Sequence, residues 1–157
     1  MIWKQPHISK IYEALGAIGD GRIEIAYDEN YAKVNSSSGN KFYEVRWNVD
    51  FSQMMANDNS AYWSGKLSYT MIAVLLLKGK LNYDEKLAEL LKGFKWKDIN
   101  VKFKNNFDKT VKFILEELKD KVEDVVVVED KIKEIYKQIE DLKIEELGSR
   151  IKPPQGY

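Results

Sequence analysis

Apolar residues at Ile8, Ile11, Tyr12, Leu15 and Ile18 recur at helical spacing, and Gly19 supplies a terminator. The period then changes. Ile23, Ile25 and Tyr27 alternate with Arg22, Glu24 and Ala26, which is the two-residue period of a strand. A second short strand is predicted over 31–35. The cluster Ser36-Ser37-Ser38-Gly39-Asn40 turns the chain, and a third strand follows over 41–48, with Tyr43, Val45 and Trp47 on one face and Phe42, Glu44 and Arg46 on the other. Three consecutive strands with short turns read as an antiparallel meander. A fourth short strand is predicted over 51–55. Residues 67–77 are apolar nearly all round, which predicts a helix buried on every side and ended by Gly79.

Beyond Leu81 the pattern becomes helical. Short helices are expected over 84–91 and after Asp98, which is expected to cap the second. Longer ones are expected over 108–122 and 129–147. Val125-Val126-Val127-Val128 has high strand propensity and reads as a strand or as a joint between helices. The pattern gives an α+β fold: a core over 1–81, a helical region over 82–148 and a tail over 149–157. Val111, Ile114, Leu115 and Leu118, with Ile132, Ile135 and Ile139, form stripes wide enough to suggest a dimer or another protein partner.

Composition narrows the chemistry by exclusion. The 157 residues contain no cysteine and one histidine, His7. Disulfides, thiolate zinc sites, iron–sulfur clusters and cysteine nucleophiles are therefore excluded, and no structural metal is expected. His7 has no metal-ligand partner at helical spacing and reads as an ordinary surface residue. The longest apolar run, 71–77, is far short of the about 20 residues of a membrane span. The opening residues 1–6 have no apolar signal core, so a cytoplasmic location is expected. Abundant Lys and Glu suit a hyperthermophilic archaeon or its virus, and the many Asn residues count against that.

One stretch resembles a known domain. A Tyr43-x-Val45 strand leads to Met54-Met55-Ala56-Asn57-Asp58, then a loop, then Ser68-Tyr69-Thr70-Met71-Ile72-Ala73-Val74-Leu75. Residues 41–78 resemble a SWIM-type zinc finger, whose pattern is Cys-x-Cys, a following Asp, and Cys-x-His opening an aliphatic helix. In this alignment the ligand positions hold Met54, Ala56, Ser68 and Thr70, none of which binds zinc as the family does. The resemblance implies a zinc-less version of that fold, with Met55, Tyr62, Trp63 and Leu67 packing where the metal would have pinned the loop. It also implies binding, to DNA or to protein, in place of catalysis. Trp63 reads either as the plug of that loop, which is the favoured reading, or as a nucleic-acid contact beside Lys66.

Charge placement adds a second pointer. The formal net charge is zero. Residues 1–77 carry net −1, residues 78–112 net +5 and residues 113–147 net −6. The basic block offers Lys92, Lys95, Lys97, Lys102 and Lys104, interleaved with Phe94, Trp96, Val101 and Phe103. Lysines neutralise phosphates and exposed aromatics stack on bases. Aromatics at this spacing are more often core, with only the lysines in water. The acidic block, Glu116 to Asp130, reads as solvated helix faces with Lys pairs, or more sharply as a cover for the basic block of a partner chain, a mimic of nucleic-acid phosphates or a holder of Mg²⁺ through paired carboxylates.

Nucleic-acid binding, with DNA favoured and weak sequence preference, is therefore the expected function, through Lys66, Lys92, Lys95, Lys97, Lys102 and Lys104. A protein–protein regulatory role through the acidic helices is the alternative. A third reading is a Mg²⁺-dependent nuclease using Asp84, Glu85 and Glu89 with Lys86 and, from the loop, Asp58. No cofactor is expected unless that nuclease reading holds.

Overall fold

A computed structural model describes residues 1–155. Its elements in chain order are α1 (Ser9–Gly19), β1 (Ile23–Ala26), β2 (Tyr31–Asn35), β3 (Phe42–Trp47), β4 (Gln53–Ala56), a π-helical turn (Ser60–Ser64), α2 (Tyr69–Leu77), α3 (Glu85–Leu91), α4 (Trp96–Lys102), α5 (Phe107–Leu118), α6 (Val125–Leu142) and β5 (Glu145–Glu146). The fold is α+β. The five strands form one sheet in the order β1-β2-β3-β4-β5, antiparallel throughout except that β5 runs parallel to β4.

The predicted meander forms. Val34 pairs with Tyr43 and Ala32 with Val45, which puts Ala32, Val34, Tyr43, Val45 and Trp47 on the core face. Phe51 takes a left-handed conformation (φ 60°), so the fourth strand begins two residues later than expected, at Gln53. α2 lies across this face with residues from Thr70 to Leu76 buried, as an all-apolar helix requires. α1 packs behind it.

α1 in turn carries α3. The approach is close because Gly16 and Gly19 present no side chains. A Cβ on Gly19 would stand 2.2 Å from the Ala88 carbonyl oxygen, and one on Gly16 would stand 2.6 Å from Trp96 Nε1. The apolar core therefore runs without a break from the sheet through Leu87, Leu91 and Trp96 to Ile114 and Ile132. The stripes of α5 and α6 are spent on it: Ile114, Leu118, Ile132, Ile135 and Ile139 are all buried by the same chain.

Three expectations about elements are corrected. The four valines belong to α6, whose N-terminus is capped by Asp124 Oδ1, which accepts from Val126 N–H at 2.9 Å. Burial of Val128 outweighs the strand propensity of the run. α6 stops at Lys143, in a left-handed conformation (φ 50°), and not at residue 147. The next residues form β5. Asp98 lies within the first turn of α4 and does not cap it. Instead Ser37 Oγ, from the β2–β3 turn, accepts from Lys97 N–H at 3.3 Å, satisfying one of the helix's free donors.

The N-terminal arm is built into the fold. Trp3 N–H donates to the Ile144 carbonyl and Glu146 N–H to the Met1 carbonyl, at 2.9 and 2.8 Å. The Trp3 indole is buried and donates to the Met54 carbonyl at 2.9 Å. Arg150 fastens the segment after β5: its Nε donates to Glu146 at 2.6 Å and its Nη1 to the Tyr62 carbonyl at 3.2 Å. The last two residues of the expected tail lie outside the described residues. Among the described residues no helix is long and apolar enough to cross a membrane.

Candidate functional site

A cleft of about 450 Å³ opens between the start of α1, the π-helical turn, the head of α2 and the α4–α5 connection. That volume is in the range of small-molecule sites. Its floor holds two buried carboxylates, Glu13 from α1 and Asp58 from the loop after β4.

Asp58 is fully engaged. Its Oδ1 accepts from Ala61 N–H at 2.9 Å and its Oδ2 from Thr70 Oγ1–H at 2.6 Å, and Ser68 Oγ lies 2.9 Å from Thr70 Oγ1. Ser68 and Thr70 are two of the positions aligned with zinc ligands. A hydrogen-bonded chain of short polar side chains thus ties the loop to α2 at that point. Met54 and Ala56, the other two positions, are buried in β4.

Glu13 is different. Its Oε2 accepts a long 3.5 Å bond from Lys10 Nζ, and its Oε1 has no hydrogen-bond partner among the described residues and meets the open cleft. Burial raises the carboxyl above its ordinary range, opposed by the charges of Lys10 and Arg22. Tyr43 and Tyr69 wall the floor. Burial, then the charges of Asp58 and Glu13, pushes the Tyr43 hydroxyl up to about 12. Burial and the charge of Glu13 likewise raise that of Tyr69. Both phenols are therefore neutral donors across the working range.

The rim is cationic and aromatic. His7 Nδ1 accepts from Ser9 N–H at 3.0 Å, so Nε2 carries the proton and donates to Asp108 Oδ1 at 2.8 Å. His7, expected as an ordinary surface residue, is thus held in place between α1 and α5. Lys10 Nζ sits 4.1 Å from the centre of the Phe107 ring. Lys66 and Trp63 complete the rim.

Trp63 corrects the favoured reading of the loop. It is 69 % exposed, with its ring set edgewise to Tyr62 at 4.7 Å. The loop is instead anchored by Asp58 and by Met55 and Leu67, each 3 % exposed. An aromatic plug is not needed where hydrogen bonds already fix the turn.

The expected lysines divide. Lys66 stands at the cleft, and Lys104 adjoins Asn105, which lines it. Lys95 and Lys97 lie at the other end of α4, around a recess shared with Ser37 and Ser38. Lys102 Nζ lies 5.0 Å from the Phe113 ring. Lys95, Lys97, Lys102 and Lys104 are exposed and have no acidic partner among the described residues. Lys92 pairs with Glu89 at 3.8 Å. The interleaved aromatics are mostly turned inward: Trp96 is 1 % exposed, while Phe94 and Phe103 are half-buried and only Val101 is open.

The carboxylates of the nuclease reading are not brought together. Glu85, Lys86 and Glu89 share a shallow depression with Lys121. Asp84 instead caps α3 through Lys86 N–H and pairs with Lys131 on α6 at 2.9 Å. Asp58 is in the cleft. Among the described residues no three acidic or histidine side chains converge as a metal site would need.

Sequence reasoning missed Glu13, Lys10, Tyr43 and Tyr69 as a group. The one available signal was Glu13 itself, the single acid on a helix that is apolar but for Ser9 and Lys10.

Comparison with curated proteins and with solved structures finds no match. A family model described as "Uncharacterised conserved protein UCP014422" matches residues 3–145, from the N-terminal arm to β5, and the chain belongs to that family.

Proposed function

We propose that the protein binds nucleic acid, DNA before RNA, with single strands favoured and little sequence preference overall. The observation that supports this best is Trp63: an indole 69 % exposed at the mouth of the cleft, beside Lys66. An exposed indole next to a cation is a platform on which an unpaired base stacks while its phosphate is neutralised. The unpaired lysines of α4 extend that footprint. Lys97 and Lys102 stand on α4, Lys95 at its N-cap and Lys104 just past its end, and all four are exposed while Trp96 and Ile99 are buried. Lysine supplies point charge without the bidentate fork that reads guanine, so this part of the surface holds backbone and not sequence.

The test is a fluorescence-anisotropy titration with a labelled single strand and the matching duplex, at low and moderate salt. Tighter binding of the single strand is expected. The salt slope should fall when Lys95, Lys97, Lys102 and Lys104 are replaced together by Ala, by about 0.7 for each phosphate that is no longer neutralised. Absence of binding at low salt, or an unchanged affinity and slope in the quadruple variant, removes this reading. It would put forward a protein partner at the acidic start of α6, where Val126 and Val127 are exposed among Glu123, Asp124 and Asp130.

A further inference from the structure

We propose that the cleft receives one unpaired nucleobase bearing an exocyclic amine, stacked on Trp63 and read by the free oxygen of Glu13. The inference rests on the nucleic-acid reading above and goes further, because it assigns a selective subsite to a chain whose lysine surface is indifferent to sequence.

Three observations carry it. First, the cleft has the size and layering for a nucleotide: a cationic and aromatic rim over a polar floor, in about 450 Å³. Second, the floor presents an acceptor without a donor. Asp58 has both oxygens occupied from within the chain, whereas Glu13 Oε1 has no hydrogen-bond partner among the described residues and lies open to the cleft. An oxygen that meets only the open cleft is free to accept from a donor that enters it. The N4 amine of cytosine and the N6 amine of adenine are such donors, and acidic side chains accept from the former. Thymine offers a carbonyl there and would meet the carboxylate with repulsion. Third, the walls suit a flat, polar-edged ring. Tyr43 and Tyr69 give neutral phenols beside Glu13, and Lys66 stands at the rim for the attached phosphate.

A simple organic cation is the rival occupant, since carboxylates and aromatic rings also form cation sites. Lys10 argues against it. Its ammonium already sits between Glu13, at 3.5 Å, and the Phe107 ring, at 4.1 Å. A second cation in the cleft would face that charge.

The experiment compares labelled oligo-dC, oligo-dA and oligo-dT of about ten nucleotides, a length in the range that one binding unit spans. Anisotropy is read at low salt and about pH 8, well to the alkaline side of the ordinary carboxyl range, which favours the ionised form of Glu13 against its upward shift. Wild type should bind dC and dA about tenfold more tightly than dT, the discrimination expected of one good hydrogen-bonded base contact. Glu13→Gln keeps the shape of the side chain and gives it a donor, so the dC-to-dT ratio should fall to near one. Trp63→Ala should weaken all three strands by about tenfold, because stacking is common to every base. Equal wild-type affinities for dC and dT, or an undiminished ratio in Glu13→Gln, overturn the subsite while leaving nucleic-acid binding in place. Displacement of dC by tetramethylammonium chloride beyond a sodium chloride control of equal strength marks a cation site and overturns it too. Failure of all three strands to bind overturns the nucleic-acid reading itself.

Discussion

Replacing Asp58 by alanine should loosen the connection between β4 and α2 without touching the rest of the core. Asp58 is 4 % exposed, and Thr70 and Ala61 are fully buried. Removing the carboxylate strands the Ala61 N–H and frees the Thr70 hydroxyl, which were 2.9 and 2.6 Å from its oxygens. A hydrogen bond to a charged group contributes about 1.5–3 kcal/mol, and a buried donor left alone costs about 1–3 kcal/mol. The Thr70 hydroxyl finds partial relief at Ser68 Oγ, 2.9 Å away. The loss therefore comes to about 3 kcal/mol. With a urea slope of about 2 kcal/mol/M for a chain of this size, the midpoint should fall by about 1.5 M with the slope unchanged. Asp58→Asn is the control. Its amide oxygen still accepts from Ala61, and its NH₂ donates to a rotated Thr70 hydroxyl, so the cost is about 1 kcal/mol. A chelator should leave both midpoints where they are. An equal midpoint shift in Asp58→Ala and Asp58→Asn, or a loss of wild-type stability in the chelator, refutes an anchor made of hydrogen bonds.

Gly19→Ala should cost about 2 kcal/mol by overpacking, because its Cβ would meet a backbone carbonyl of α3 at 2.2 Å; thermal unfolding at Gly79→Ala, where nothing lies within 4 Å, gives the comparison for backbone strain alone. Trp63→Ala should change stability by less than about 0.5 kcal/mol, since the indole is mostly in water, and a loss of the about 3–5 kcal/mol of a buried aromatic would contradict its placement. For Glu13 the sign follows from its raised carboxyl. The native state holds that proton more tightly than the unfolded chain, so the contribution is present at low pH and lost as pH rises from the ordinary glutamate range through the native value. Glu13→Gln should accordingly gain on wild type in urea midpoint as pH rises above the ordinary glutamate range of about 4. A gap that stays constant as pH rises would show that Glu13 titrates as it does in the unfolded chain.

Much of the architecture is legible in residues that alternate or recur. The meander follows from Tyr43, Val45 and Trp47 on one face, and α2 from a run with no polar side at all. What escapes notice is held together by pairings distant in the chain. Glu145 and Glu146 look like the frayed end of a helix, and become a strand because β4 offers an unpaired edge and Lys143 turns the chain toward it. The valine run misleads because strand propensity is weaker than a capped helix start with Val128 buried beneath it. The candidate site is less legible than the fold. Lysines are easy to count, but the carboxylate that faces the cleft differs from its surface counterparts only in burial, which the period of α1 does not reveal. Trp63 is misread for a related reason. A loop aromatic and three short polar residues are equally plausible anchors in sequence, and only geometry shows that Asp58, Thr70 and Ser68 already hold the turn.

The clasp between the N-terminal arm and β5 has a mechanical meaning. Met1 lies beside Glu146 and Trp3 beside Ile144, so the two segments run antiparallel with their outer ends on the same side. Tension applied between the ends of the chain first loads the Arg150 contacts to Glu146 and Tyr62. It then reaches the clasp as a zipper and not as a shear joint. Past Leu147 N–H to the Met54 carbonyl, the clasp bonds open singly, beginning with Glu146 N–H to Met1, so each carries the load in turn. A pulled molecule should surrender its arm and β5 at low force, while the meander and α2 beneath remain folded.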